Sequence, residues 1–274
     1  MVSLSTVLTC ILTLFISLIL PILVPILFTL KYRKQGILSA WLLGAAGFVV
    51  TQILIRLPIL TALQNQNWFL SLAQNHLFGY AFSLAFTAGL FELAGRLAVA
   101  KLMSRKLTYP RSLAAGLGHG GIEAMVLIGM TYVNNLIYIF MINTGSFDTI
   151  LAQTAAMGLD TSQLELIRSQ LLGSAPIMFA LAGFERLLAM TGHAAMSMIV
   201  CYGVAHKKAL PCCLICLGIH TLMDLTAGIS LVLPQNIAYP IIYTILAAMA
   251  AISIALILDI RRRCNKEVSH DPEK

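Results

Sequence analysis

The stretch Leu77-Phe-Gly-Tyr-Ala-Phe-Ser-Leu-Ala-Phe-Thr-Ala-Gly-Leu-Phe-Glu-Leu-Ala-Gly-Arg-Leu-Ala-Val-Ala100 decides the fold. It is long enough to cross a ~30 Å hydrocarbon core, and its 24 residues are apolar apart from a few small polar ones and Glu92 with Arg96. A charge at the centre of a membrane helix costs at least ~2.5–3.5 kcal/mol on insertion scales, so such residues face a protein interior and do work. Glu92 and Arg96 stand at i, i+4, which puts both on one helix face.

Three further apolar stretches repeat the anomaly. They carry His119 with Glu123, Glu185 and Arg186 with His193, and His220 with Asp224. One polar pair would be a helix-packing device, whereas four sets make a site.

Composition agrees with a membrane class. Of 274 residues 59% are hydrophobic and only 11% charged, against roughly 25% charge in a soluble domain. A net charge of +7 is also found in nucleic-acid-binding proteins, but here the basic residues fall in short clusters between apolar runs, the footprint of topology. Nucleic acid is therefore excluded as a partner and the lipid bilayer included.

Seven stretches are long enough to span. They run from about Leu4 to Leu30, Ile37 to Leu57, Leu77 to Ala100, Leu113 to Ile142, Ala175 to Ala205, Leu210 to Leu233, and Ile237 to Ile260. The first has no basic leader and no small-residue cleavage site, so it reads as an uncleaved helix, kinked at Pro21 and Pro25. The expected fold is all-α: one integral membrane domain over residues 1–274, a polytopic transmembrane bundle. The cluster-bearing core covers about 78–233, the peripheral spans are 4–30, 37–57 and 237–260, and a basic tail runs from 261 to 274.

The loops set the orientation. Lys31, Arg33 and Lys34 follow helix 1; Lys101, Arg105, Lys106 and Arg111 follow helix 3; Lys207 and Lys208 follow helix 5; Arg261, Arg262 and Arg263 follow helix 7. Alternate loops are nearly free of Lys and Arg, so the N-terminus lies outside and the C-terminus in the cytoplasm. The one sizeable outer loop, Asn143 to Ser174, carries a capping box at Ser162-x-x-Glu165 and helical spacing of Leu164, Ile167, Leu171 and Leu172. It reads as a connector lying along the outer interface.

Other signals are weaker. Gly116-Leu-Gly-His-Gly-Gly121 formally matches GxGxxG, but it opens no βαβ unit and sits in a span. Small-xxx-small packing by Gly116 and Gly120 explains it better. Cys213-Leu-Ile-Cys216 is a lone CxxC, a poor zinc site and ordinary apolar filling.

Depth makes the polar residues converge. At 1.5 Å per residue, Glu92 lies roughly 12 Å from the cytoplasmic end of its helix, His119 about 9 Å, Glu123 and His220 about 15 Å, and His193 about 18 Å. Asp224 lies a turn deeper. Three imidazoles and a carboxylate in one layer have the inventory of a catalytic zinc site, which takes three protein ligands and an open position. A metal there would make hydroxide available near neutral pH. Without one, Glu92 or Glu123 could act directly as general base. Either route ends in hydrolysis.

Phe91-Glu-Leu-Ala-Gly-Arg96, Gly118-His-Gly-Gly-Ile-Glu-Ala124, Gly183-Phe-Glu-Arg186 with His193, and His220-Thr-Leu-Met-Asp224 resemble the motifs of the YhfC family. Those are bacterial multi-spanning proteins classed as intramembrane proteases, similar in motif order to PrsW and to the CAAX-protease and bacteriocin-processing superfamily. The resemblance covers about Phe78 to Leu233. It implies an intramembrane endopeptidase acting on a peptide or membrane-protein substrate in the bacterial plasma membrane. Glu92 with Arg96 matches the first motif, whose glutamate activates water; Glu123 falls at the acid of the second motif, with His119 one turn before it. His193 matches the third motif and His220 with Asp224 the fourth. The first motif usually has paired glutamates, whereas here Phe91 precedes Glu92.

The expected arrangement is zinc held by His193, His220 and one further group, either Glu123 or His119. Glu92 is then the base, turned by Arg96, and Asp224 a supporting acceptor or substrate contact. A metal-free glutamic-type mechanism is the other form of the same reading. Runners-up are a proton- or ion-coupled transporter, whose relays also need buried Glu, His and Asp, and a non-catalytic scaffold or immunity protein. Transporters carry internal repeats, and none is evident here.

The orientation is open to direct test. In a cysteine-free background, single cysteines placed in the Asn143–Ser174 loop should react with an impermeant maleimide added outside, and those in the Lys101–Arg111 loop should not. The reverse pattern overturns the depth argument with it.

Overall fold

A computed structural model describes residues 1–33, 35–104 and 107–270, and the side chains of all of these up to residue 266. Lys34, Arg105 and Lys106, three of the basic loop residues, lie outside the described residues. Among those described, the secondary structure is helical and contains no strand.

Seven helices are long and apolar enough to cross a membrane, and the chain is a multi-pass membrane protein. We number these spans 1 to 7: Leu4–Lys31, Ile37–Leu63, Leu77–Leu102, Tyr109–Thr144, Pro176–Ala205, Ala209–Val232 and Gln235–Lys266. Each lies close to its expected place. Spans 2 and 7 run furthest past their expected ends, span 2 continuing through Pro58 to Leu63. Residues Val49–Arg56 of span 2 form wide π-helical turns, and the larger ring relieves the crowding that a proline imposes on an ordinary helix. Span 1 also carries a π-helical turn, Phe15–Ile19, just before Pro21, and keeps Pro25 inside its helix.

The chain groups into two compact units. The smaller comprises Met1–Ile22 with Ala124–Leu187. Its core gathers Val2, Cys10, Tyr132, Ile139, Leu171 and Phe179, and Thr13 and Tyr132 both donate to the Phe179 carbonyl, at 2.7 and 3.0 Å. The outer-loop sequence forms two helices here, Ser146–Ala156 and Ser162–Gly173. The expected capping box of Ser162 with Glu165 does not form, and the side chain of the cap residue bonds no helix amide. Thr161 is the cap position, its hydroxyl donates to Glu165 at 3.1 Å, and Asp160 accepts from the Ser162 amide and hydroxyl. Those two bonds hold the Asp160 carboxyl below its ordinary value. Asp160 supplies the oxygen that the sequence assigns to Ser162, because an Asx turn offers the first amide an ionised acceptor.

The larger unit comprises Leu23–Glu123 with the chain from Leu188 onward. Its core includes Ile37, Ala40, Val99, Ala100, Ala114, Ala115, Met196 and Val200. Span 4 packs against its neighbours almost backbone to backbone. A Cβ at Gly116 would lie 2.7 Å from Ala194 Cα, and one at Gly120 2.7 Å from His193 Cβ. The glycine-rich run is thus small-residue packing against span 5, and it brings the histidine face of span 5 against His119.

Gly44 supplies a stability test. A Cβ there would stand 1.9 Å from the Ala115 carbonyl oxygen, while one at Gly218 would meet no atom within 4 Å apart from its own stretch of helix. Gly44→Ala should therefore cost about 1–3 kcal/mol and lower the Tm of the detergent-solubilised protein. Gly218→Ala should leave it unchanged or slightly raised.

Candidate active site

In the larger unit, spans 3 to 6 bring an arginine and three imidazoles to one carboxylate, that of Glu92. Glu92, Arg96, His119, His193 and His220 are each at most 3% exposed. Glu92 Oε2 accepts from Arg96 Nη2 at 3.1 Å and lies 2.9 Å from His119 Nε2 and 2.8 Å from His220 Nε2. His193 Nδ1 is 3.7 Å away. The rings pack on one another: His119 stacks on His193 and His193 meets His220 edge to face, both at 5.5 Å between centroids. Phe48 of span 2 packs edge to face on His119 at 5.4 Å.

Arginine polarity orders the ring hydrogens. Arg96 Nη2 lies 2.5 Å from His193 Nδ1. A guanidinium has donors and no acceptor, so Nδ1 accepts and the ring hydrogen sits on Nε2. That nitrogen is 2.8 Å from Glu123 Oε2. Behind His220, Nδ1 faces Asp224 Oδ2 at 3.5 Å. Two of the three imidazoles are therefore backed by a carboxylate on the nitrogen pointing away from Glu92. Glu123 is 12% and Asp224 35% exposed in the side chain, so these two form the accessible side of the cluster.

All seven residues singled out for the site in the sequence come together here. Glu185 and Arg186 belong to the smaller unit and bond to each other, Arg186 Nε donating to Glu185 Oε2 at 2.7 Å. Sequence reasoning passed over Gln52. This buried residue of span 2 donates from Nε2 to Glu92 Oε1 at 2.6 Å and accepts at Oε1 from Arg56 Nη1 at 3.2 Å. A signal existed, since Gln52 and Arg56 are polar residues four apart in an apolar span, as in the other sets.

The donor chemistry suits a divalent metal. One ligand atom each from Glu92, His119 and His193 lies within 4.8 Å of the others, all three residues buried. His220 Nε2 touches the same carboxylate oxygen. Imidazole nitrogens with carboxylates behind them are the ligand and supporting set of zinc sites.

Comparison with known proteins agrees. The family model described as "YhfC intramembrane metalloprotease" matches residues 16–248. The chain is 31% identical over 181 residues to the "Uncharacterized membrane protein YhfC" of Bacillus subtilis (strain 168), covering 65% of this chain and 68% of that one. No solved structure matches.

The ion pair at the centre can be weighed by mutation. Removing one partner of a buried pair costs about 3–5 kcal/mol, so Arg96→Met should markedly destabilise the protein. Adding Glu92→Gln should recover part of the loss, with a coupling of about 1–3 kcal/mol read from unfolding of the four purified forms. Strict additivity would mean the pair carries no interaction of its own.

Proposed function

We propose, from the premise that this chain belongs to the YhfC intramembrane metalloprotease family, that it is a zinc endopeptidase of the bacterial plasma membrane. It hydrolyses peptide bonds of membrane-associated or membrane-embedded substrates, at a site opening toward the cytoplasm. The observation that carries the reading is the convergence of three buried imidazoles on Glu92 Oε2.

His119, His193 and His220 would hold the ion, His193 by the Nδ1 that Arg96 otherwise caps. Of the two candidates for the third ligand, the geometry favours His119 over Glu123. His119 Nε2 shares Glu92 Oε2 with His220, whereas Glu123 stands behind His193 on its Nε2 side. Glu123 then fixes the orientation of His193, and Asp224 that of His220. When bound, zinc supplies Lewis acidity toward the scissile carbonyl and toward water.

The chain's residues supply proton transfer and positioning. Glu92 takes the proton as water adds to the carbonyl carbon and returns it to the amine nitrogen when the C–N bond breaks. Arg96, donating to the same carboxylate, sets the direction in which Oε2 points and offsets its charge in a medium where an unpaired ion is costly. Glu123 and Asp224, on the accessible side, face the arriving substrate. Burial of the rest excludes bulk water from a site that must admit one molecule at a time.

Metal analysis of the purified protein, with turnover of labelled casein in detergent, tests this. Near-stoichiometric zinc is expected, lost in His193→Ala and His119→Ala but kept in Glu92→Gln, whose rate should fall at least ~10³-fold. Double replacements among Glu92, His193 and His220 should add little, because residues acting as a unit are non-additive. Full activity in metal-free protein would overturn the zinc reading and leave Glu92 as the base of a glutamic-type protease. Zinc lost on Glu92→Gln would make Glu92 a ligand.

A further inference from the structure

We infer that Gln52, held by Arg56, is a positioning residue for Glu92: it binds one carboxylate oxygen and leaves the other to face the histidines. The inference rests on the zinc reading above. It uses two residues of span 2, a helix that the sequence motifs leave out.

Arg56 starts the chain of bonds. Its Nη2 donates to the Leu84 carbonyl at 2.7 Å, and Nε and Nη2 reach Thr87 Oγ1 at 3.4 and 3.3 Å. These contacts tie the guanidinium to span 3, in the two turns before Glu92. Its Nη1 donates to Gln52 Oε1 at 3.2 Å. An amide's oxygen and nitrogen are assigned from their partners, and here the partner leaves one choice. Arg56 can only donate, so Gln52 Oε1 must accept and Nε2 must donate. Glu92 Oε1, 2.6 Å away, is then an acceptor held toward span 2, which leaves Oε2 as the oxygen on the histidine side. That is the oxygen lying against His119, His220 and Arg96.

Local backbone supports the assignment independently. Gln52 and Arg56 both lie in Val49–Arg56, the longest π-helical stretch among the described residues. Such turns are rare and concentrate at functional sites. Gln52 is 4% exposed, and burying a primary amide in a bilayer span is costly unless it is used. An apolar residue would fill the same volume at no such cost.

The test is turnover of labelled casein by the zinc-loaded full-length protein, with its zinc affinity by competition with a chromophoric chelator and the Tm of its metal-free form beside it. Gln52→Met keeps length and loses the donor; it should lower kcat by about 10–100-fold, part of the ~10²–10⁴ that a positioned base supplies, and leave zinc affinity near wild type, because Glu92 is the base and not a ligand. Arg56→Met should lower kcat by about 10-fold. Arg56→Lys, which can still donate to Gln52 but lacks the fork that ties it to span 3, should fall between Arg56→Met and wild type, and Gln52→Met with Arg56→Met should be no worse than Gln52→Met alone. Thr51→Val, which loses a bond to the Gly47 carbonyl in the same stretch, should change none of these readings.

A purely structural role for Gln52 would lower the metal-free Tm and leave kcat of the zinc-loaded protein unmoved, and that result overturns the inference alone. Equal losses from Arg56→Lys and Arg56→Met also overturn it. A wild-type protein that binds no zinc overturns both this inference and the zinc reading. If Gln52→Met does not fold, the contrast between the two Arg56 variants decides the matter.

Discussion

One carboxylate oxygen organises this protein. Glu92 Oε2 has Arg96, His119 and His220 within 3.1 Å, contributed by three different spans. In a hydrocarbon surround, an anion this deeply buried is tolerable only if its neighbours supply what water would. The spans must therefore come close enough for side chains to meet it, and that demand propagates outward. Gly116 and Gly120 let span 4 lie against span 5, and Gly89 leaves room for His220, whose Cβ would be 3.4 Å from a Cβ placed there. Small residues and buried charge are two sides of one requirement.

Order within the cluster comes from arginine polarity. Neither Arg96 nor Arg56 can accept a hydrogen bond, so each fixes the sense of every bond it touches. Arg96 sets which nitrogen of His193 carries hydrogen, and Arg56 sets which end of Gln52 points at Glu92. A lysine would fix the same signs without the planar fork that lets one side chain reach several partners at once. Arg56 uses that fork, holding Gln52 through Nη1 and span 3 through Nε and Nη2.

The spans were legible because membrane length and hydropathy are one-dimensional properties, and so was the layer in which Glu92, His119, His193 and His220 meet. Depth follows from residue count once helices are assumed. Azimuth does not, and that is why Gln52 was missed. Its neighbours Ile53 and Leu54 read as an ordinary apolar span, and the wide turns of Val49–Arg56 shift the phase that a 3.6-residue period would assign. The outer ring nitrogens were beyond reach for a related reason. Whether Glu123 meets the inner or outer nitrogen of His193 depends on ring rotation, which sequence spacing does not encode. Glu185 and Arg186 shared the signature of buried charge, but they belong to the smaller unit, where they bond to each other.

The π-helical stretch of span 2 has a genetic consequence. A wide turn holds more residues than an α-helical turn, so a single-codon deletion inside Val49–Arg56 removes what the wide ring accommodates and lets the backbone relax toward an ordinary α-helix. The span would still be long enough to cross the bilayer. An α-helix advances about 100° per residue and a wider turn less, so the change turns Gln52 relative to the flanking helix and takes its amide off Glu92, although residues four apart still share a face. Such an allele would insert and accumulate, yet lose the bond to Glu92. Scans built only from substitutions never sample it, whereas a deletion series along this helix would separate the reading frame of its chemistry from its capacity to span.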